Sequence, residues 1–209
     1  GAVKKLMANL LVAAGATSIL AMDLHAGQVE GFFDIPVDNL HAMPLLAKAF
    51  KEQVGIDVTV VAPDIGSVKL ARTYASYLNT GFVIVDKQRL KADQVAQVTV
   101  IGDAKGKNIL LADDMCTTAS TLVSAAKACH EKGARRIYAA VTHGLFVGDA
   151  IAAIEKSHLE WVLTTDSVPY TDRLSSSTKI RTRTSAHLFG EAIRCFTTHE
   201  SISSLCQSP

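Results

Sequence analysis

No stretch of this sequence stays apolar long enough to cross a bilayer as a helix. The longest hydrophobic runs are broken by charge or glycine well before the roughly 20 residues that a span requires, so a soluble protein with no membrane partner is expected. An excess of one charge is missing too. Against 21 Lys and Arg stand 20 Asp and Glu, giving a formal net charge of +1, and no basic stripe is available to a nucleic-acid backbone. A small-molecule ligand is expected, and no nucleic acid. The four cysteines, Cys116, Cys129, Cys195 and Cys206, form no Cys-x-x-Cys pair and have no metal-ligand spacing. With no secretory leader ahead of the first helical pattern, this points to the reducing cytoplasm and to inert, buried thiols. Internal repeats and low-complexity segments are absent as well.

What is present is 209 residues, 48% of them hydrophobic, enough for one sizeable core and short for two complete domains. Gly1 is not an initiator methionine, and the chain enters at once on a helical pattern (Leu6, Leu10, Leu11, Ala14). It therefore reads as though joined partway through a domain. That helix and a strand over 17–23 cannot form a core alone, and they predict an exposed strand edge and an uncovered apolar helix face. A loop rich in Gly, Pro and Asp covers 25–39, followed by a helix near 43–52. From there strands (58–62, 82–86, 95–102, 107–112, 137–142, 161–165, 180–184) alternate with helices (68–78, 122–131, 149–156, 186–196). Apolar strands alternating with amphipathic helices predict an α/β fold with a parallel sheet flanked by helices. In such sheets ligands sit at the carboxyl ends of the strands, which directs attention to 23–25, 63–66, 86–89, 113–121 and 142–144.

The segment from Asn108 to Thr121 carries the strongest local signal: an apolar strand, then Asp113 and Asp114, then a run of small and hydroxyl residues (Cys116, Thr117, Thr118, Ala119, Ser120, Thr121) that opens a helix. A helix amino terminus presents unpaired N–H groups and the positive end of its dipole, and small side chains let a phosphate approach them. The two carboxylates stand where ribose hydroxyls, or a magnesium ion through water, need oxygen acceptors.

This segment resembles the phosphoribosyl-binding loop of type I phosphoribosyltransferases and their relatives. It departs from that pattern at Thr117, where a third acidic residue often stands, and at Ala119 and Ser120, where glycines are common; any of these positions needing a positive φ would be strained. Further segments are similar to ribose-phosphate pyrophosphokinases: Met22-Asp23-Leu24-His25-Ala26, the stretch Gly31 to Leu40, Val61 to Gly66, Asp86-Lys87-Gln88-Arg89, Thr142-His143-Gly144 and Glu200-Ser201-Ile202-Ser203. The resemblance covers essentially the whole chain, without the family's adenine-binding Phe-x-Asp-x-Glu and Arg-Gln-Asp segments.

That resemblance implies a type I phosphoribosyltransferase-like ribose 5-phosphate domain over 41–184, a remnant of a second, similar lobe over 1–40, and a carboxy-terminal helix and tail over 185–209 packing back on that remnant. It implies transfer of pyrophosphate from ATP to the anomeric hydroxyl of ribose 5-phosphate, a Mg2+ cofactor, ATP and ribose 5-phosphate as partners, and a homo-oligomer, hexameric in the intact family. In the implied roles Lys87, Arg89 and His25 are catalytic, and Asp113, Asp114 and Cys116 to Thr121 hold ribose 5-phosphate. His25, Asp64, Asp23, Asp34 and Asp38 are associated with the metal. A phosphoribosyltransferase that consumes phosphoribosyl pyrophosphate, or a non-catalytic regulatory relative of the synthetase, are the competing readings.

Overall fold

The structure is a computed structural model, and it describes residues 2–55, 57–88, 97–169 and 172–206. The chain divides into two compact units, Gly1–Ala42 with Ala186–Ser208, and Met43–Ser185.

The larger unit holds the sheet. Its strands are β3 (Thr59–Ala62), β4 (Gly81–Gln88), β5 (Gln97–Ile101), β6 (Asn108–Cys116), β7 (Arg136–Gly144), β8 (Leu159–Thr165) and β9 (Ile180–Arg183). They lie in the order β5-β4-β3-β6-β7-β8-β9. β3, β6, β7 and β8 are apolar almost throughout because both faces are covered. On one face α4 (Ser120–Glu131) inserts Leu122, Ala125, Ala126 and Cys129 against Ile109, Leu111, Ala139 and Val141. On the other, α2 (Met43–Val54) contributes Phe50, whose ring packs 5.6 Å from Tyr138 and 5.6 Å from Trp161. Burying a ring of this size stabilises by about 1.5–3 kcal/mol. Also present are α3 (Val68–Leu78), α5 (Ala150–Lys156) and the short α6 (Asp172–Ser175). Asn79, at φ 51°, closes α3 in the left-handed conformation, which asparagine tolerates.

The expected parallel sheet flanked by helices is present, with one antiparallel edge where β4 and β5 pair, Asp86 opposite Thr99 and Lys87 opposite Val98; a strand that returns directly has no crossover helix to force it parallel. Three element bounds are corrected. β6 and β7 run on past the expected 112 and 142, because the ladder between them continues through Asp113↔Val141, Met115↔His143 and Cys116↔Gly144 whatever the polarity of the side chains. The helix after β6 accordingly opens at Ser120 rather than Leu122. Since the chain runs from β3 outward through β4 and β5 and then returns to β6 on the other side of β3, the strand order reverses between β3 and β6. The crevice at their carboxyl ends is the topological switch point of the sheet.

In the smaller unit α1 (Ala2–Ala13) exposes Val3, Leu6, Met7 and Leu10, as the uncovered apolar face predicted. β1 (Ile19–Met22) has a partner that the sequence reading placed in a loop, the parallel β2 (Val37–Leu40), reached through a 3-10 helix over Gly27–Phe32. Lys5 ties α1 to the end of that helix by donating to Phe32 O at 2.8 Å. α7 (Ala186–Thr197) and α8 (Ser203–Cys206) complete the unit. Among the described residues no helix is long and apolar enough to cross a membrane.

Candidate functional site

The switch-point crevice is built by three segments: the turn after β3, the end of β6 with the start of α4, and the residues that follow β7. β6 delivers Asp113, 9% exposed, with Asp114 half-buried beside it. The Asp113 carboxylate accepts from Ser67 Oγ at 2.9 Å and from the Asp114 N–H at 3.0 Å. Burial pushes its pKa up to about 7; the Ser67 bond opposes the rise, and the carboxylates of Asp64 and Asp114 reinforce it. Asp64, in the turn after β3, accepts from Ser67 N at 3.0 Å and Ser67 Oγ at 2.9 Å, both on Oδ1.

Beyond Asp114 the backbone turns over Thr117, Thr118 and Ala119 into α4. Ala119 takes φ 63°, ψ 3°, the left-handed conformation that costs a residue with a Cβ about 1–2 kcal/mol. This is the position at which the sequence raised the question of strain. The Ala119 N–H reaches the Cys116 sulfur and Val123 N–H bonds Ala119 O. Among the described residues no protein acceptor is recorded for the N–H groups of Thr117, Thr118, Ser120 and Thr121. Thr117, Thr118 and Ser120 are exposed, and Thr118 Oγ1 donates to Ser120 Oγ at 3.2 Å. The recess lined by Asp113 and Met115 to Leu122 measures about 30 Å³, so an anion would sit in its mouth against the helix end.

The Cys116 side chain is buried, and burial pushes its thiol up to about 12. Cys116 O accepts from Leu145 N at 2.9 Å and Phe146 N at 3.1 Å, and Thr117 O from Val147 N at 2.9 Å. This strap after β7, which the sequence reading missed beyond Gly144, occupies the carbonyls at the base of the turn. Phe146 holds φ 44° while almost fully buried.

The remaining candidates divide by location. Lys87 lies on β4, one residue past Asp86; Arg89 lies outside the described residues. In the smaller unit Asp23, at φ 44°, accepts from Ala42 N at 3.1 Å and pairs at 2.9 Å with His41 Nδ1, a partner with no recognisable sequence signal. Asp34 is exposed and pairs with Lys5 at 3.2 Å. Asp38, half-buried on β2, borders a cavity of about 350 Å³ with Phe196 and His199, and His25 is exposed between β1 and the 3-10 helix. Among the described residues no three His, Cys, Asp or Glu side chains converge on one point. That is not a protein-only metal cage. A hard cation that keeps waters and takes one or two carboxylates fits Asp64 and Asp113 instead, since all their recorded hydrogen bonds fall on Oδ1 and each retains Oδ2.

Comparison with known proteins gives a consistent result. The family model described as phosphoribosyl synthetase-associated domain matches residues 87–207. A ribose-phosphate pyrophosphokinase of Chlorobaculum tepidum is 50% identical over 205 residues, covering 98% of this chain and 63% of that protein. Ribose-phosphate pyrophosphokinase A of Dictyostelium discoideum is 42% identical over 201 residues, covering 96% and 63%. The crystal structure of phosphoribosylpyrophosphate synthetase from Mycobacterium smegmatis superposes with a TM-score of 0.87 at 32% identity, covering 95% of this chain and 65% of that one. The chain thus spans a little under two thirds of the length of these relatives.

Proposed function

This chain belongs to the phosphoribosyl synthetase-associated domain family, and on that footing we propose that it provides the ribose 5-phosphate site of a ribose-phosphate pyrophosphokinase. The observation that carries the reading is the turn at the end of β6, where, among the described residues, the amides of Thr117, Thr118, Ser120 and Thr121 have no protein acceptor at a helix amino terminus beside two carboxylates. The 5-phosphate rests against the amides of Thr117, Thr118, Ser120 and Thr121, where unpaired N–H groups and the helix dipole favour negative charge. Asp113 and Asp114 accept from the ribose hydroxyls and so fix the sugar's orientation.

In the proposed reaction the anomeric oxygen of the sugar forms a bond to the β-phosphorus of ATP. The bond from that phosphorus to the bridging oxygen breaks, AMP leaves, and the hydroxyl proton passes to a base. There is little covalent work for protein groups in such a transfer; in-line positioning and fixed positive charge supply most of the rate. Lys87 and Arg89, at and beyond the end of β4, are proposed to place that charge. Mg2+, when bound, would neutralise the phosphate oxygens, with Asp64 and Asp113 as the carboxylates available to it. His25 and Asp38, in the other unit, are proposed on the resemblance alone, and a homo-oligomer likewise.

The chain by itself is proposed to bind ribose 5-phosphate and to turn over weakly, since it spans under two thirds of the length of its relatives. Calorimetry with ribose 5-phosphate tests binding, and an AMP-release assay with ATP and Mg2+ tests turnover. Saturable binding abolished by Thr121→Pro, which remodels the helix end, is expected. No binding would sink the proposal, and product formation from a free base rather than ATP would replace it with a phosphoribosyltransferase.

A further inference from the structure

The hydroxyl of Ser67 has no part in the reading above, yet it stands at the switch point between the two acidic strand ends. Ser67 Oγ lies 2.9 Å from Asp64 Oδ1 and 2.9 Å from Asp113 Oδ1, and the residue is 5% exposed. It is also the residue immediately before α3. A serine there ordinarily accepts an N–H from the first turn of its own helix, which accounts for its frequency at that place. Here no such side-chain cap bond forms. The side chain is turned away from its own helix and toward two carboxylates, and Asp64 receives the Ser67 N–H.

Two carboxylates facing one another across a buried hydroxyl repel, and each gains by rotating toward water unless something holds it. A hydroxyl has one proton and two lone pairs, so it donates to one carboxylate at a time and couples the two choices. Without it Asp113 would retain only the Asp114 N–H, and Asp64 would retain only the backbone N–H of residue 67. Because both bonds from Ser67 land on Oδ1 atoms, the serine also decides which oxygen of each acid is left for a ligand.

We propose that Ser67 is a positioning residue, tying Asp64 to Asp113 across the switch point so that the two acids present their Oδ2 atoms as one unit. The ligand's identity rests on the functional reading above; the tie itself does not.

Two experiments on the full chain separate them. In calorimetric titrations with ribose 5-phosphate and Mg2+, Ser67→Ala and Ser67→Gly weaken binding by about tenfold, the scale of one hydrogen bond to a charged group. Ser67→Thr, which keeps the hydroxyl, stays within about threefold. A role confined to ending the helix would show no such rescue. In urea unfolding, Asp64→Asn and Asp113→Asn are combined in a double-mutant cycle, first with Ser67 and then with Ser67→Ala. The coupling factor in the unfolding constant is expected to change by about fivefold or more when the hydroxyl is removed. Equal binding by Ser67→Ala and Ser67→Thr, or coupling within about twofold in the two backgrounds, overturns the proposal. Should the unsubstituted chain fail to bind ribose 5-phosphate, the functional reading falls while the unfolding cycle still decides the role of Ser67.

Discussion

A single methyl group at Gly144 should do more damage than most core truncations. A Cβ built there would lie 2.3 Å from Phe146 Cε2, 2.8 Å from its Cζ and 2.8 Å from Thr164 Oγ1. Neither neighbour is free to yield. Phe146 is 4% exposed, holds φ 44° and donates its N–H to Cys116 O at 3.1 Å, while Thr164 is 2% exposed within β8. Gly144 does not adopt a positive φ, so the requirement is for space. Overpacking of this kind costs about 1–3 kcal/mol, and with a contact this short the upper end applies. In a domain of this size each kcal/mol shifts the melting temperature by about 2–4 °C, so Gly144→Ala should melt about 6–12 °C lower. Displacing Phe146 also pulls on Cys116 O and Thr117 O, and misplacing a binding element by even about 1 Å can cost a factor of about a hundred. Ribose 5-phosphate affinity should therefore fall by at least about tenfold, read by calorimetry at a temperature where the variant is folded. Phe146→Leu removes ring atoms that the new methyl meets, so the double variant should lose less stability than the two single losses combined. A melting shift under about 2 °C with unchanged affinity, or strict additivity in the double variant, would refute the reasoning.

Asp113 gives a pH signature. Its folded pKa is raised to about 7 from an ordinary value of 3.8, so the native state holds the proton more tightly than the unfolded chain. The resulting stability is present in full below about pH 4 and is lost as pH rises through about 7; urea unfolding from pH 5 to 8 should show this slope, and Asp113→Asn should flatten it. Glu155 accepts from Ser177 Oγ, Thr178 N, Thr178 Oγ1 and Lys179 N ahead of β9, so Glu155→Ala should cost about 2 kcal/mol in chemical denaturation. At Ala119, Val would place a β-branched residue at φ 63° and should lower the melting temperature by at least about 5 °C. Gly there should be nearly neutral, strain relief offsetting chain entropy and a lost buried methyl. In a complete enzyme carrying this segment, Lys87→Ala should lower turnover by on the order of a hundredfold; a fall under threefold with unchanged affinity would remove Lys87 from the mechanism.

Much of this molecule was legible in one dimension. The apolar runs of β6, β7 and β8 and the span of α3 follow from local periodicity, because burial on both faces or on one helical stripe leaves its mark residue by residue. The turn at the end of β6 was legible for the same reason: strand, paired carboxylates, small residues and helix are contiguous in sequence, and a helix amino terminus favours anions wherever it occurs. The strain at Ala119 could be posed as a question, since the need for glycine depends on a φ that sequence alone does not state.

What the chain could not disclose along its length is everything settled by a partner far away in sequence. Whether β5 ran parallel, whether 37–40 was loop or strand, and where β6 ended depended on which backbone lay alongside. The partners that Asp23 and Asp34 meet, His41 and Lys5, left no mark in the sequence. Ser67 carried no functional signal in the sequence, and it was Asp113, 46 positions away, that came within hydrogen-bonding distance. Local propensity chooses the element; only folding chooses the neighbour, and a polar side chain takes its role from the neighbour it meets.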